Sequence, residues 1–311
     1  MLRPLAFLLA AWLVVFVAAC PSDESDDRAS GGSAAAGSPT GSSSVANTGS
    51  TGSGSTVASS GSGSSSSGGM PAEEVKVAFI GDSGDGSAFE SVLDLILAEQ
   101  VDAVVHNGDF DYGLDPDGFF AVVDGKVGTA FPYFVAVGNH DAPAWNEYSV
   151  YANNHFTAAG VTLDDPNLLD QKYAFLWRGI HFVFVGENGN NAEFAQFIDD
   201  QLDPAASTWK ICAWHKNQRA MQIGGKGDEM GWDVYENCRL NGAIVTTGHE
   251  HSYERTKTLT DMENQVVDTD CSEPNELCVG PGKTFTIVSG LGGVGIRDQE
   301  RCLPTTPPYG C

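Results

Sequence analysis

The sequence predicts a sheet-rich α/β sandwich with mixed sheets, and two observations support that fold class. From residue 75 to 141, short apolar runs of the strand type alternate with segments whose apolar residues recur at helical spacing. Such alternation is typical of parallel strands joined by crossover helices. From residue 172 onward, a predicted hairpin adds antiparallel pairing, so the strands are not all parallel.

The elements follow one another in a regular order. The segment 172–186 is the hairpin, and its two strands turn at Arg178-Gly179. A further helix is expected between residue 215 and His249. The remaining strands are predicted at 75–84, 101–109, 131–141, 209–215, 243–251 and 285–290, and the remaining helices at 88–100, 116–128 and 192–202.

The first 70 residues differ from the rest in composition. Residues 5–19 form an apolar run that is too short for a comfortable membrane span, so 1–19 is predicted to be an export signal peptide. Residues 20–70 are mostly Ser, Gly, Ala and Thr, which predicts a disordered linker. The folded domain is therefore placed at 71–311, a length that suffices for one core.

The apolar run ends in Val17-Ala18-Ala19-Cys20, which resembles the lipobox of bacterial lipoproteins. The resemblance implies cleavage before Cys20, lipidation of its thiol and a membrane-anchored protein of the bacterial cell envelope, periplasmic or on the cell surface. An ordinary cleaved signal with a chance cysteine is the alternative.

Charge and cysteine content limit the partners and the compartment. With 41 acidic and 16 basic residues the net charge is −25, so nucleic acid and anionic lipid are repelled and a lipid anchor would be the only membrane contact. An even number of cysteines remains besides Cys20, which predicts disulfides in an exported protein. Proximity in the sequence favours the pairs Cys212–Cys238, Cys271–Cys278 and Cys302–Cys311.

Polar side chains gather where the predicted strands end. Ligands of open α/β sheets bind beyond the carboxyl ends of the strands, so these side chains are expected to converge. His249 and His251 are predicted to share one face, because alternate residues of a strand point the same way. The set combines oxygen and nitrogen donors that suit iron, zinc or manganese, at Asp82, Asp109, Asn139, His215, His249 and His251.

Five short blocks resemble, in order, the metal-binding blocks of the purple acid phosphatases, members of the calcineurin-like metallophosphoesterase superfamily. The resemblance spans residues 75 to about 255, and FTIVSGLGG (285–293) is similar to the family's C-terminal strand and turn. It implies a metallophosphoesterase-type αββα sandwich in a small, single-domain form, with the metal site at the C-terminal ends of the strands. The blocks are Gly81-Asp82-Ser83-Gly84, Gly108-Asp109-Phe110-Asp111-Tyr112, Gly138-Asn139-His140-Asp141, Ala213-Trp214-His215 and Gly248-His249-Glu250-His251.

Tyr112 distinguishes this family from its relatives. Most of the superfamily has Asp-x-His in the first block, and that histidine binds the first metal, whereas this chain has Gly84 there. In purple acid phosphatases a tyrosine of the second block takes its place, and Tyr112 stands at that position. A tyrosinate bound to Fe(III) gives the family its purple colour, which the resemblance implies here. A packing role for Tyr112 is the alternative.

The resemblance assigns seven ligands to two metal ions. A phenolate suits a trivalent ion, whereas two imidazoles and an amide suit a divalent one. Asp82, Tyr112 and His251 would bind the first ion, expected to be Fe(III), Asn139, His215 and His249 the second, a divalent iron, zinc or manganese ion, and Asp109 would bridge them.

The implied reaction is the hydrolysis of phosphate monoesters of small molecules by attack of a metal-bound hydroxide. His140 matches the family histidine that contacts the phosphate and helps to protonate the leaving oxygen. Some members carry further histidines shortly after the fourth block, which this chain lacks, so Lys216, Asn217 or Arg219 is a candidate phosphate contact. Solvated loop charges are the other interpretation of these residues.

Two other functions remain open. A phosphodiesterase or nucleotide hydrolase would use the same scaffold, and rates on monoester and diester substrates separate these enzymes from a phosphomonoesterase. A surface lipoprotein that kept the fold as a binding module is the non-enzyme alternative. Analysis of bound metal in the exported protein discriminates it, since a binding module needs none.

Overall fold

A computed structural model describes residues 15–18, 74–163, 171–187, 191–203, 205–207, 209–273 and 276–301. Cys20, the predicted linker, Cys302 and Cys311 lie outside these residues, as does most of the predicted signal peptide. No helix among the described residues is both long and apolar enough to cross a bilayer.

The first sheet is mainly parallel. Its strands follow the order β1-β2-β3-β4, in which β2, β3 and β4 run parallel and β1 pairs antiparallel with β2. The strands are β1 (Val15–Ala18), β2 (Glu74–Ile80), β3 (Ala103–His106) and β4 (Tyr133–Val135), and the helices beside them in sequence are α1 (Ser87–Ala98), α2 (Pro116–Val127) and α3 (Trp145–Ala158).

The second sheet is mixed, as predicted, and has the order β5-β6-β7-β8-β12-β9. The hairpin β5–β6 turns at Arg178 and Gly179, both with positive φ. A separate pair, β10–β11, lies beyond it. The strands are β5 (Tyr173–Trp177), β6 (Ile180–Phe184), β7 (Trp209–Ala213), β8 (Ile244–Thr247), β9 (Tyr253–Arg255), β10 (Leu259–Asp261), β11 (Val266–Val267) and β12 (Thr286–Ser289), and the helices are α4 (Asn191–Leu202) and α5 (Trp232–Leu240).

Alternating side chains of the second sheet divide the core into two clusters. Phe182 and Phe184 of β6 pack in the cluster that contains the first sheet and α1–α3, and Phe182 lies 5.5 Å from Phe134 of β4, between ring centroids. Val183, between them, belongs to the cluster formed with α4 and α5. Because neighbouring residues of a strand face opposite sides, the layers run helix, sheet, sheet, helix. The predicted αββα sandwich is confirmed.

Several elements differ from the sequence prediction, including β9, β10 and β11, which were not predicted, and β4, which is shorter than the strand predicted over 131–141. Helix α3 was not predicted, although Tyr148, Ala152 and Phe156 recur on one face and are buried. The strand predicted over 243–251 ends at Thr247. The expectation that His249 and His251 share a strand face is therefore wrong in its reason, because both lie in the turn that follows β8.

Two disulfides agree with the predicted pairing. Cys212 of β7 bonds Cys238 of α5, which joins this helix to the second sheet, and Cys271 bonds Cys278 within a loop. The predicted Cys302–Cys311 pair lies outside the described residues.

The Cys212–Cys238 bond should contribute more to stability than the Cys271–Cys278 bond. It spans 26 residues rather than 7, and a longer closed loop restricts the unfolded chain more strongly. We expect the double variant Cys212→Ala, Cys238→Ala to lose about 3–4 kcal/mol in free energy of unfolding, and Cys271→Ala, Cys278→Ala about 2–3 kcal/mol. Urea unfolding measures both. Equal losses would contradict the loop-entropy explanation.

Candidate metal centre

Four of the predicted ligands lie in turns with left-handed backbone. Asp82, Asp109, Tyr112 and His249 have φ of 57°, 58°, 62° and 69°. Each non-glycine residue in this region costs about 1–3 kcal/mol, and such strain concentrates at functional sites. The turns leave β2, β3 and β8 at their carboxyl ends, so the fold directs these side chains to one edge of both sheets.

Close approach of Gly108 and Gly138 brings the turn after β3 and the turn after β4 together. A Cβ on Gly108 would lie 2.5 Å from the backbone nitrogen of Gly138, and one on Gly138 would lie 2.2 Å from Asp109 Oδ1. No larger residue fits at either position without moving backbone or the aspartate. These glycines therefore fix the distance between the turn that carries Asp109 and the turn that carries Asn139.

Asp82, Tyr112 and His251 form one compact group. The Tyr112 hydroxyl donates to Asp82 Oδ1 at 3.2 Å and lies 3.3 Å from His251 Nε2. His251 Nε2 is also 3.3 Å from Asp82 Oδ1. Three possible metal-ligand atoms from three separate turns thus meet at one point.

Asp109, His215 and His249 form a second group. His215 Nε2 lies 3.2 Å from Asp109 Oδ2 and 3.0 Å from His249 Nδ1. Their three ligand atoms lie within 4.8 Å of one another, and all three residues are buried. The backbone N–H of His249 donates to Asp82 Oδ2 at 2.8 Å, which joins the two groups.

Asn139 and His140 border the second group. The backbone N–H of His140 donates to Asp109 Oδ1 at 2.9 Å, so this carboxylate is held between His140 and His215. Asn139 Oδ1 is buried and has no hydrogen-bond partner among the described residues. The exposed ring of His140 lies 4.5 Å from the ring of Tyr112, between centroids. The structure thus brings the predicted site residues of the folded domain to one place, where Asn139 is positioned by its neighbour His140 rather than by a described contact of its own.

Each of the three histidines has an acceptor near the ring nitrogen that points away from the centre. His215 Nδ1 lies 2.7 Å from the carbonyl oxygen of Asn107, and His251 Nδ1 lies 3.1 Å from that of Gly295. His249 Nε2 is 2.8 Å from Glu229 Oε2 without hydrogen-bond alignment, and burial, followed by His215, lowers the pKa of His249 so that its ring is neutral. Such outer partners orient histidines so that the other nitrogen binds metal. Glu229 was not predicted, since nothing in its local sequence points to His249.

Asp141 is a second residue that the sequence analysis left without a role. Its buried carboxylate accepts from the backbone N–H groups of Asp109, Phe110 and Gly138 at 2.7–2.8 Å. Burial, followed by the charge of Asp109, raises the pKa of Asp141 to about 7. Asp141 therefore holds the strained Asp109 turn in place. Its position in the Asn139-His140-Asp141 block was a signal that could have been used.

Burial and charge pairing have opposite effects on the pKa values of Asp109 and His215. Burial raises the pKa of Asp109, but His215 outweighs it and holds that pKa well below its ordinary value. Burial lowers the pKa of His215, but Asp109 outweighs it and raises that pKa to about 10. Without a metal ion the pair therefore carries a proton on His215, which a bound cation must expel.

The surroundings of Tyr112 oppose the loss of its phenol proton unless a cation is present. Burial, followed by the negative charge of Asp82, raises the pKa of the Tyr112 phenol well above its ordinary value. A cation at this group would reverse that effect, because it attracts the phenolate.

The donor set fits a pair of metal ions. The two groups supply carboxylate, phenol and imidazole donors, and Asn139 adds an amide oxygen with no other partner among the described residues. Oxygen and nitrogen donors of this kind suit iron, zinc and manganese. Two imidazole nitrogens 3.0 Å apart beside a buried carboxylate are satisfied together when a cation replaces the proton between them.

Comparison with known proteins identifies the class to which this fold and site belong. The family model described as calcineurin-like phosphoesterase matches residues 75–253, more than half of the chain. The chain belongs to this family of phosphoesterases, and the predicted class is confirmed. A search of curated proteins found no significant match.

Among solved structures, the purple acid phosphatase PPD1 from yellow lupin (Lupinus luteus) seeds aligns with a TM-score of 0.53 at 18% identity, over 76% of this chain and 49% of that chain. The chain thus spans about half the length of this relative, and the likeness shows the fold. A protein from Thermus thermophilus has a TM-score of 0.43 at 14% identity, over 70% of this chain and 89% of that one. A dimetal phosphatase from Danio rerio has 0.46 at 13% identity, over 70% and 88%.

Proposed function

We propose that this protein is a dinuclear metal phosphatase that hydrolyses phosphate monoesters of small molecules. The observation that carries the proposal is the convergence of the Asp82–Tyr112–His251 and Asp109–His215–His249 groups on one edge of the sandwich. The two groups are joined through Asp82, so they can hold two ions close together. Two-metal sites of this kind clamp both the attacking and the leaving oxygen of a phosphate ester.

The chain's own residues would divide the work. Asp109 lies at the centre of the site and would bridge the ions, while Asp141 holds its turn from behind. His140 is exposed beside Tyr112, so it can reach the phosphate of a bound ester and give a proton to the leaving oxygen. When bound, two ions lower the pKa of water and neutralise negative charge that develops on the phosphate.

The donors also suggest which ion each group takes. The group with Tyr112 offers two hard anionic oxygens, which suits Fe(III), while the group with His215 and His249 suits a divalent iron, zinc or manganese ion. A tyrosinate–iron colour arises only when Fe(III) occupies the group that contains Tyr112.

The test is a comparison of purified protein on two chromogenic substrates, with the bound metals measured on the same samples. We expect two metal ions per chain and faster hydrolysis of p-nitrophenyl phosphate than of bis(p-nitrophenyl) phosphate. A preference for the diester would replace the proposal with a phosphodiesterase. Protein that keeps no metal and hydrolyses neither substrate would instead support a binding module.

We further propose that lipidated Cys20 tethers the domain to a membrane, on the strength of the Val17-Ala18-Ala19-Cys20 sequence. Cys20→Ala removes the thiol, so the variant should move from the membrane fraction to a soluble fraction or remain unprocessed. Fractionation with an immunoblot measures this, and Cys302→Ala serves as a cysteine control. Wild-type protein that is already soluble and begins at another residue would contradict the anchor.

A further inference from the structure

The sequence suggested three residues of the loop after β7 as phosphate contacts. Two of them are already paired with other groups of the protein. The side chain of Asn217 is buried, donates to the Gly248 carbonyl at 2.5 Å and accepts from the Thr247 hydroxyl at 2.5 Å. Lys216 Nζ is paired with Glu187 Oε2 at 2.7 Å. Arg219 is exposed, and no described contact joins it to the proposed metal ligands.

Arg297, by contrast, reaches the first group of ligands. Its Nη2 lies 3.3 Å from His251 Nε2, the nitrogen that also faces Tyr112 and Asp82. Its Nη1 donates to the carbonyl oxygen of His249 at 3.3 Å. Because Nε2 is the nitrogen proposed to bind metal, a bound ion would replace this contact and leave the guanidinium beside the ion, held through Nη1.

The backbone around Arg297 is fixed to the same turn. Its own N–H donates to the carbonyl oxygen of His251 at 2.9 Å, and the Gly295 carbonyl oxygen lies 3.1 Å from His251 Nδ1. A side chain that is anchored through its backbone N–H and through Nη1 keeps its direction, so less entropy is lost when it binds an anion.

The guanidinium remains open to solvent. The Arg297 side chain is 41% exposed and lines a cavity of about 420 Å³ together with Lys226 and the carboxylates of Glu250, Asp298 and Glu300. Glu250 Oε2 lies 3.8 Å from Arg297 Nη1, an ion pair without a hydrogen bond, and both oxygens of Glu250 lack a hydrogen-bond partner among the described residues. The arginine thus has donor capacity left for a ligand.

The chain's charge gives such a cation a role beside the metal ions. A net charge of −25 repels a phosphate monoester at long range, and the proposed ligands add aspartates at the site itself. The segment between His215 and His249 contains no histidine that could contact a phosphate. An arginine offers several donors in a planar fork that matches two oxygens of one phosphate.

We propose that Arg297 binds the phosphate group of the substrate beside the metal centre, from the C-terminal segment rather than from the loop after β7. This proposal rests on the proposed phosphatase function, although phosphate binding tests it separately. A group that binds the phosphate equally in the ground state and in the transition state changes KM more than kcat.

The experiment compares wild type with Arg297→Gln and Arg297→Lys, each loaded with metal and checked for equal metal content. The probe is inorganic phosphate, measured by isothermal titration calorimetry, followed by kinetics on p-nitrophenyl phosphate. We expect the Kd of phosphate and the KM to rise about tenfold in Arg297→Gln, as for the loss of a charge-assisted hydrogen bond, with kcat within about twofold. Arg297→Lys should recover part of both.

Arg301→Gln is the matched control, because Arg301 lies on the same segment but donates to the backbone carbonyls of Arg219 and Gln222. Its Kd for phosphate should equal that of wild type. An unchanged Kd in fully loaded Arg297→Gln would overturn the proposal, as would metal loss with unchanged phosphate affinity of the loaded fraction. If wild type binds phosphate but hydrolyses no monoester, the phosphatase function fails while the Kd comparison still decides the role of Arg297.

Discussion

Replacing Asp109 by asparagine is expected to remove most of the bound metal and to lower kcat/KM by about a hundredfold or more, a loss of at least ~2.7 kcal/mol of transition-state stabilisation. Asp109 Oδ1 accepts from the His140 N–H and Oδ2 faces His215 Nε2, so both carboxylate oxygens are in use. An amide keeps the shape but turns one of these oxygens into a donor and removes the charge that pairs with His215. Metal analysis and kinetics measure the two losses.

His140→Ala is the informative comparison for Asp109→Asn. The His140 side chain is exposed beside Tyr112 and has no described contact with the Asp109–His215–His249 group, whereas its backbone N–H, which the variant retains, supports Asp109. We expect His140→Ala to keep its metal and to lose turnover, on the order of the 10²–10⁴-fold that a proton donor contributes. Full activity in Asp109→Asn, together with metal loss in His140→Ala, would reverse the assigned roles.

Tyr112→Phe should abolish the visible absorption of the oxidised, iron-loaded protein and weaken binding of the trivalent ion. The variant keeps the ring beside His140 but removes the oxygen that lies 3.2 Å from Asp82 and 3.3 Å from His251. A phenolate is the donor that transfers charge to Fe(III) under visible light, and the proposed site contains no other phenol. Spectra and iron titrations of wild type and variant measure the band and the affinity.

Tyr151→Phe is a matched control for Tyr112→Phe. The Tyr151 hydroxyl contacts Asp117 on the exposed side of α2 and α3, away from the ligand groups, so this variant should keep both the band and the iron affinity. The same thermal stability is expected for both variants and wild type without metal, within about 1 kcal/mol. A band that persists unchanged in Tyr112→Phe would show that Tyr112 is a packing residue.

The fold class was predictable because the strands and helices carry strong local periodicity. The alternation from β2 to β4 and the hairpin at Arg178-Gly179 are short-range features that a sequence displays directly. Helix α3 was missed because tyrosine, valine, threonine and asparagine in Trp145–Ala158 are weak helix formers. Packing of residues such as Tyr148 and Phe156 stabilises it, and that contribution exists only in the folded chain.

The metal site was predictable as far as its residues stand in short blocks at strand ends. The groups that support it were not, because their partners are distant in the chain. Glu229 approaches His249 across 20 positions, and Arg297 approaches His251 across 46. Only the tertiary structure places such pairs, and neither residue stands in a block with a ligand. The expectation that His249 and His251 share a strand face was wrong for a related reason, since the sequence does not reveal where β8 ends.

The left-handed backbone at Asp82, Asp109, Tyr112 and His249 has a consequence for the evolution of this fold. Glycine would occupy each of these positions without strain, so folding by itself favours glycine there, and only the use of the side chain opposes it. A lineage that stopped binding metal would be expected to drift toward glycine at these four sites first. Gly84, with φ of 65°, is a glycine in the same backbone region, two residues after Asp82. In this chain all four positions keep a side chain instead, as the proposed metal centre requires.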